Sequence, residues 1–224
     1  MPGPDRHFWQ DRFARHETPW DRGGPGPQLL RWLADGTLDA TSLQGAPVAV
    51  PGCGSGHDVV AIARAGLPVI GLDYADGAVQ RTRDALAAAG EDVQARARVE
   101  AADVLAWHPP QPLGAIYEQT CLCALHPDHW TAYAANLHAW LRPGGRLLLM
   151  AMQSPKPGAA EGRVEGPPYH VHIHAARALF PEPAWSWSAP PYPAVPHPAG
   201  FHELAVVLIR AAPVALTRAA PSSP

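Results

Sequence analysis

The chain is 224 residues long, with 47% hydrophobic and 17% charged residues, and this apolar fraction excludes a fully disordered or collagen-like chain. The net charge is −3 and Lys156 is the only lysine, so a nucleic-acid partner is disfavoured, because phosphate binding needs clustered cations. No apolar stretch reaches the roughly 18 residues that a membrane span needs, so we expect no membrane partner either.

The length predicts one domain, and the cysteines and the first residues predict a reducing compartment. Residues 1–7 have neither the charged nor the apolar region of a signal peptide, and the three cysteines show no zinc-ribbon spacing. We therefore expect a cytoplasmic monomer with a small-molecule partner. Residues 1–45 form an N-terminal segment of the domain, 46–210 its main body, and 211–224, which consist mainly of Ala, Pro and Ser, a disordered tail.

Short apolar runs alternate with helical patterns along the main body. Strands are predicted at 47–51, 67–73, 99–103, 114–118 and 146–152, and helices at 58–65, 75–89 and 129–141. This alternation is typical of a doubly wound α/β domain with a mostly parallel sheet. Ligands of such sheets lie outside the carboxyl ends of the strands, where the strand order reverses.

A glycine-rich loop follows the first predicted strand. Gly52, Gly54 and Gly56 give the pattern G-x-G-x-G, whereas dinucleotide sites typically carry G-x-G-x-x-G. His57 occupies the place of the third dinucleotide glycine, and Asp58 puts an anionic side chain where a pyrophosphate would lie. The loop therefore favours a nucleoside without a diphosphate.

Polar side chains end the next three strands. Asp73 can accept hydrogen bonds from both ribose hydroxyls, and Asp103 or the neighbouring Val104 amide can recognise the exocyclic amine of adenine. Glu118 and Gln119 end the fourth strand. This order describes S-adenosylmethionine better than NAD. The alternative, that acids at strand ends simply cap the following helices, stays open.

Aromatic residues precede the first strand. Trp9 and Phe13 are four residues apart and share one face of a helix, and Trp20 follows a proline in a loop. Aromatic faces attract cations by roughly 0.5–2 kcal/mol each, so these rings are suited to hold a sulfonium and exclude water. Alternatively, the aromatic stripe only packs the helix onto the domain.

Several motifs together resemble the thiopurine S-methyltransferase family, particularly its thiol and halide methyltransferase branch. The loop Val50–Asp58 has Pro51 where most methyltransferases carry an acid. The other motifs are Phe8-Trp9, Pro19-Trp20-Asp21-Arg22-Gly23, Gly71-Leu72-Asp73, Tyr117–Leu125 and Gly166-Pro167-Pro168-Tyr169. The resemblance runs from about Phe8 to Arg210. It implies a seven-stranded, mostly parallel sheet with an N-terminal helical cap, and a methyltransferase domain at 46–210.

The resemblance also implies a binding site for S-adenosylmethionine. Its residues would be Trp9, Phe13, Trp20, Gly52, Gly54, Asp73, Asp103, Val104 and Gln119. Phe13 stands where relatives often have tryptophan, and Gln119 where they often have Arg or Tyr. On the acceptor side, residues 198–203 replace an arginine-rich segment of some relatives.

Methyl transfer from a sulfonium is an in-line displacement, in which the enzyme positions the nucleophile and removes water. A thiol, thiopurine, halide or related chalcogen needs no strong base, and the chain has no His-Asp-Ser or Cys-His constellation. Tyr169 is the predicted catalytic residue of the acceptor pocket, the alternative being an ordinary structural tyrosine. Trp185 and Trp187 are candidates for stacking on a thiopurine.

Three other interpretations compete with methyl transfer. On a strand, His170, His172 and His174 would share a face, but they would spread over about 13 Å, so we predict no metal site. An NAD-linked oxidoreductase is disfavoured by His57 and by the lack of a second catalytic domain. A non-catalytic nucleoside-binding module would require a blocked acceptor pocket.

Overall fold

Strands and helices alternate along the computed structural model, which describes residues 3–212. The helices are α1 (Arg6–Ala14), α2 (Pro27–Ala34), α3 (Ala40–Leu43), α4 (His57–Arg64), α5 (Asp76–Ala89), α6 (Glu91–Gln94), α7 (Trp130–Trp140) and α8 (Ile173–Leu179). The strands are β1 (Val48–Pro51), β2 (Val69–Asp73), β3 (Ala97–Ala101), β4 (Leu113–Gln119), β5 (Leu141–Gln153), β6 (Trp185–Trp187), β7 (Ala194–Pro196) and β8 (His202–Arg210).

The strands form one sheet in the order β3-β2-β1-β4-β5-β8-β6, and β7 pairs beside β8. Strands β1 to β5 are parallel to their neighbours, whereas β8 runs antiparallel to β5 and to β6 and β7. The predicted seven-stranded, mostly parallel sheet is confirmed, with β7 as a short eighth strand. The order reverses between β1 and β4, so a ligand site is expected at their carboxyl ends.

The central strands are buried because helices cover both faces of the sheet. Every residue of β1 and β2 is buried, as is typical of parallel strands with two covered faces. One core contains Tyr133 and Trp140 of α7, and the other contains Ile62 of α4. No helix among residues 3–212 is long and apolar enough to span a membrane.

Two local predictions differ from the structure near residue 141. The seventh helix ends at Trp140, and β5 begins at Leu141 rather than at Arg146. Leu141 pairs with Leu113, and Arg146 pairs with Ala115 after a register shift. A bulge thus accommodates Pro143 and the following glycines within the strand, because proline cannot donate a ladder hydrogen bond.

The histidine run does not form a strand. His172 is the N-cap of α8, and its Nδ1 accepts from the His174 backbone N–H at 3.2 Å. The assumption that three histidines share a strand face is therefore wrong, and no metal-binding group of His, Cys, Asp or Glu occurs within residues 3–212. The predicted tail, 211–224, lies outside the described residues except for its first two.

Candidate functional site

A cleft of about 930 Å³ opens across the carboxyl ends of the parallel strands. All nine predicted donor-site residues line it: Trp9, Phe13, Trp20, Gly52, Gly54, Asp73, Asp103, Val104 and Gln119. They come from α1, from the loop after it, and from the ends of β1 to β4 or the loops that follow. The structure thus brings together residues that are up to 110 positions apart in sequence (9 to 119), while their binding roles stay predictions.

The glycine loop is held tightly against α5. Gly54 and Gly56 have φ of +56° and +78°, a conformation that glycine adopts without steric cost. A Cβ atom on Gly56 would lie 2.8 Å from the Thr82 backbone, so a larger residue does not fit. Thr82 Oγ1 also donates to the Gly54 carbonyl at 2.9 Å. The loop is therefore a preformed backbone surface at the start of α4.

The carboxyl group of Asp73 joins the glycine loop to the start of α5. It accepts from the Gly54 backbone N–H at 3.1 Å and from the Ala75 N–H at 3.0 Å. Burial raises the pKa of Asp73 to about 6, although these hydrogen bonds act in the opposite direction. An ionised carboxylate offers about four acceptor positions, so about two remain for a ligand. Asp73 thus holds the loop and the residue before α5 together and keeps acceptor positions for a ligand.

Asp103 lies two residues beyond β3 rather than at its last position. Its Oδ1 accepts from the Leu105 backbone N–H at 2.9 Å, and its side chain is exposed in the cleft. Val104 is buried, with 8% of its surface exposed. The bond to Leu105 uses Oδ1 of Asp103 and leaves Oδ2 available to a ligand.

Trp9 and Phe13 are aromatic residues of α1 that line the cleft, and Phe13 also packs against α5. Trp20 meets Trp9 and Phe13 edge to face, with ring centroids 5.4 and 6.1 Å apart. Phe13 is buried against Ala75 and Ala78. The packing alternative for this stripe therefore holds, and the same rings form one wall of the cleft. That α1 caps a bound ligand stays a prediction.

Asp21 and Asp58 tie the N-terminal segment to the glycine loop. Asp21 accepts from Ser55 Oγ and from the Gly23 N–H, and its Oδ1 lies 3.0 Å from His57 Nε2. Burial raises the pKa of Asp21, but these contacts outweigh it and hold the pKa below its usual value. Asp58 accepts from the Gly26 N–H at 2.7 Å, and burial raises its pKa to about 6. The sequence pattern does not predict these contacts between the N-terminal segment and the glycine loop.

A polar network reaches the cleft through Arg22 and Gln119. Arg22 Nη2 lies 2.8 Å from Glu203 Oε2, which also accepts from Gln119 Nε2 at 2.9 Å. The Tyr117 hydroxyl donates to Gln119 Oε1. Burial raises the pKa of Glu203 to about 7. In the sequence, residues 198–203 are recognisable only as a departure from the family pattern, which does not predict that Glu203 pairs with Arg22.

Tyr169 lies beside the cleft rather than in its wall. Gly166, Pro167 and Pro168 line the cleft, whereas the Tyr169 side chain is 5% exposed and packs edge to face on His126. Its backbone N–H donates to the Cys123 carbonyl at 2.7 Å. These contacts match the structural alternative, and the predicted catalytic role stays a prediction.

Trp185 and Trp187 do not line the cleft. They lie on β6, at the far edge of the sheet, where Trp187 Nε1 donates to the Phe180 carbonyl at 2.8 Å. The expectation that they stack on a thiopurine is therefore wrong. Antiparallel pairing with the end of β8 carries both rings away from the carboxyl ends of the parallel strands.

Solved structures share this architecture. The chain is similar to a protein from work on the conversion of a disulfide bond into a thioacetal group during echinomycin biosynthesis, with a TM-score of 0.67, 22% identity and coverage of 90% of this chain and 91% of that one. It is also similar to magnesium protoporphyrin IX methyltransferase from Synechocystis PCC 6803, solved with bound SAM, with a TM-score of 0.66, 17% identity and coverage of 94% and 100%. At this identity, these likenesses show the fold.

Sequence comparisons identify the family. The family model described as thiopurine S-methyltransferase (TPMT) matches residues 4–218. Thiocyanate methyltransferase 1 of Arabidopsis thaliana is 31% identical over 165 residues, which cover 74% of this chain and 67% of that protein. A thiopurine S-methyltransferase of Legionella pneumophila is 25% identical over 177 residues, covering 74% and 76%. With a match over nearly its whole length, the chain belongs to the thiopurine S-methyltransferase family.

Proposed function

We propose that the cleft binds S-adenosylmethionine and a small soft nucleophile side by side, and that the protein is an S-methyltransferase. The observation that carries the proposal is the arrangement of the cleft. The nine residues predicted for the donor line it together, and Arg22 and Gln119 connect the same cleft to a buried polar network with Glu203. S-adenosylmethionine supplies a methyl group on a sulfonium, and S-adenosylhomocysteine is the product.

The residues over β1, β2 and β3 suit the donor. The positive-φ glycines bring the backbone close to a ligand, and Asp73 keeps acceptor positions for the two ribose hydroxyls. Asp103 and Val104 would recognise the adenine. Trp9, Phe13 and Trp20 would hold the sulfonium against aromatic faces and exclude water. Asp58, which is buried beside the loop, disfavours the diphosphate of NAD.

The residues over β4 and β5 suit a soft acceptor. Met152, Cys123 and Leu125 make this wall largely apolar, which favours weakly hydrated nucleophiles over strongly hydrated oxygen ones. Two cationic or basic side chains of the cleft are already paired, Arg22 with Glu203 and His57 with Asp21. The acceptor class is therefore a thiol, thiopurine, halide or related chalcogen species. We expect the protein to act on it as a cytoplasmic monomer.

The first experiment measures binding of S-adenosylmethionine and of NAD to the purified protein by calorimetry. We expect binding of the former only, and preferential binding of NAD would contradict the proposal. The second incubates the protein with labelled donor and matched panels of thiols, halides, catechols and carboxylic acids. Methylation of thiols or halides is expected. Preferential methylation of a catechol or a carboxylate, or donor binding without any turnover, would favour another enzyme or a non-catalytic module.

A further inference from the structure

The imidazole of His197 lies in the wall of the cleft, in the hairpin that connects β7 with β8. The hairpin is closed by its own backbone. The His197 N–H donates to the Phe201 carbonyl at 2.9 Å, and the His197 carbonyl accepts from the Gly200 N–H at 3.0 Å. The side chain is 6% exposed. This histidine is therefore held in one position in the wall of the cleft.

The contacts of the ring determine its tautomer. Nδ1 accepts from the Ala199 backbone N–H at 3.2 Å, so the ring proton lies on Nε2. Burial, together with the charge of Arg22, lowers the pKa of His197 to about 4, so the ring is neutral at pH 7. Nε2 has no hydrogen-bond partner within residues 3–212. His197 thus carries a buried N–H donor with no protein acceptor.

The neighbouring polar groups are already engaged. Arg22 donates to the Pro196 carbonyl and to Glu203, and Gln119 bonds Tyr117 and Glu203. Oε1 of Glu203 also lacks a partner in the described part of the chain, but Glu203 does not line the cleft. The Nε2–H of His197 is therefore a buried donor in the wall of the cleft with no acceptor among residues 3–212.

We infer that the Nε2–H of His197 donates a hydrogen bond to the nucleophilic atom of the acceptor, so that His197 selects acceptors that arrive as soft monoanions. The inference rests on the proposed function and adds a specificity-determining residue to it. The acceptors it names are thiolates and thiocyanate-like ions.

The same geometry argues against His197 as a general base. Nε2 already holds a proton, and the lone pair of Nδ1 is used by Ala199. A second proton would break that bond and place a new positive charge near Arg22. In the transfer, the electron pair of the anion forms the bond to the methyl carbon, and the pair of the breaking bond stays on the donor sulfur. No proton moves, so the imidazole keeps its Nε2–H throughout.

The test compares three variants with the wild type. His197→Leu removes the donor, His197→Gln replaces it with an amide N–H, and His202→Leu alters an exposed histidine of the same hairpin that does not line the cleft. The acceptors are thiocyanate, which is always anionic, and 2-mercaptoethanol, a thiol that is mostly un-ionised at pH 7. The dissociation constant of S-adenosylmethionine is measured separately by calorimetry.

His197→Leu should raise the KM for both acceptors by a similar factor of about 10–100, as expected for a lost hydrogen bond to an anion. The glutamine variant should recover most of this loss. Both variants and the His202→Leu control should bind the donor like the wild type. An unchanged acceptor KM in His197→Leu would overturn the inference, and so would a loss confined to 2-mercaptoethanol, which would make His197 a base.

A measurement on the wild type covers the case in which a variant does not fold. Thiocyanate added to the protein with bound S-adenosylhomocysteine should shift the imidazole Nε2–H resonance of His197 in an NMR spectrum, and an unmoved resonance would overturn the inference. A wild type that binds no S-adenosylmethionine, or that methylates neither acceptor, would instead contradict the proposed function.

Discussion

Asp73 combines two tasks in one carboxyl group. It accepts from the backbone of the glycine loop and of the α5 start, and its remaining lone pairs face the cleft. Asp73→Asn should weaken binding of S-adenosylmethionine by on the order of 3 kcal/mol, about a hundredfold, because two charge-assisted hydrogen bonds are lost. Calorimetry checks this. Asp84→Asn, an exposed acid on α5, is the matched control, and equal affinities of both variants would contradict the role of Asp73.

Glu118 predicts a dependence of stability on pH. It is 1% exposed, and burial raises its pKa from 4.5 to about 8, while one oxygen accepts from the Leu122 backbone N–H at 2.6 Å. Between these two values the folded protein keeps a proton that the unfolded chain releases. The stabilisation from this proton is therefore complete below pH 4.5 and is lost as the pH rises through about 8.

Glu118→Gln should remove this dependence, because the amide is neutral at every pH. Relative to the wild type, its free energy of unfolding should increase by about 1.4 kcal/mol per pH unit between pH 6 and 8 and level off above. Urea unfolding at several pH values measures the difference. The exposed Glu17→Gln is the control and should show no trend. A constant difference between Glu118→Gln and the wild type would show that Glu118 is already ionised at pH 6.

At the scale of elements, α1 depends on its contacts with α5. Its nine residues are too few for a stable isolated helix, since helices shorter than about 12–15 residues are marginal in water. Asp5 caps its first turn, and Arg6 and Gln10 both bond Asp76. Asp76 is largely exposed, so these contacts contribute little. The buried ring of Phe13 is therefore the main attachment of α1.

Phe13→Ala should release α1, whereas Asp76→Ala should leave it nearly in place. We expect faster hydrogen exchange across residues 6–14 in the first variant, with weaker binding of S-adenosylmethionine. Exchange in the wild type should slow when S-adenosylhomocysteine is added, because a ligand under Trp9 and Trp20 stabilises the helix. Hydrogen exchange by mass spectrometry tests both effects. If α1 exchanges equally with and without the ligand, it does not cap the site.

At the scale of the whole molecule, the parallel half of the sheet was predictable. Strands β1, β2 and β4 are apolar runs between glycine and proline signals, and their burial on both faces makes such runs recognisable. Strands β6 and β7 are three residues long and are defined by pairing with β8, so no local pattern predicts them. The family resemblance predicted a sheet of seven strands, but it did not give the positions of β6 and β7.

The sequence by itself determined the doubly wound architecture and the place of the residues that end its parallel strands. Asp73 and Gln119 end parallel strands, and Gly52 and Gly54 directly follow one, so the topology must gather them at one edge of the sheet. The local sequence pattern is sufficient to predict these strand ends and the glycine loop, because the periodicity of apolar residues indicates burial and the glycine positions indicate backbone conformation.

Only the tertiary structure decided which side chains meet across the cleft. Arg22 and Glu203 are 181 positions apart, and Asp21 and His57 are 36 apart. The tautomer of His197 depends on the turn between β7 and β8, whose paired strands hold Ala199 beside the ring. Such contacts arise from the packing of distant segments, for which single-sequence patterns carry no distance information. The residues at the ends of the parallel strands were therefore visible in the sequence, whereas the pairing of Arg22 and Gln119 with Glu203 was determined by how β8 packs on the sheet.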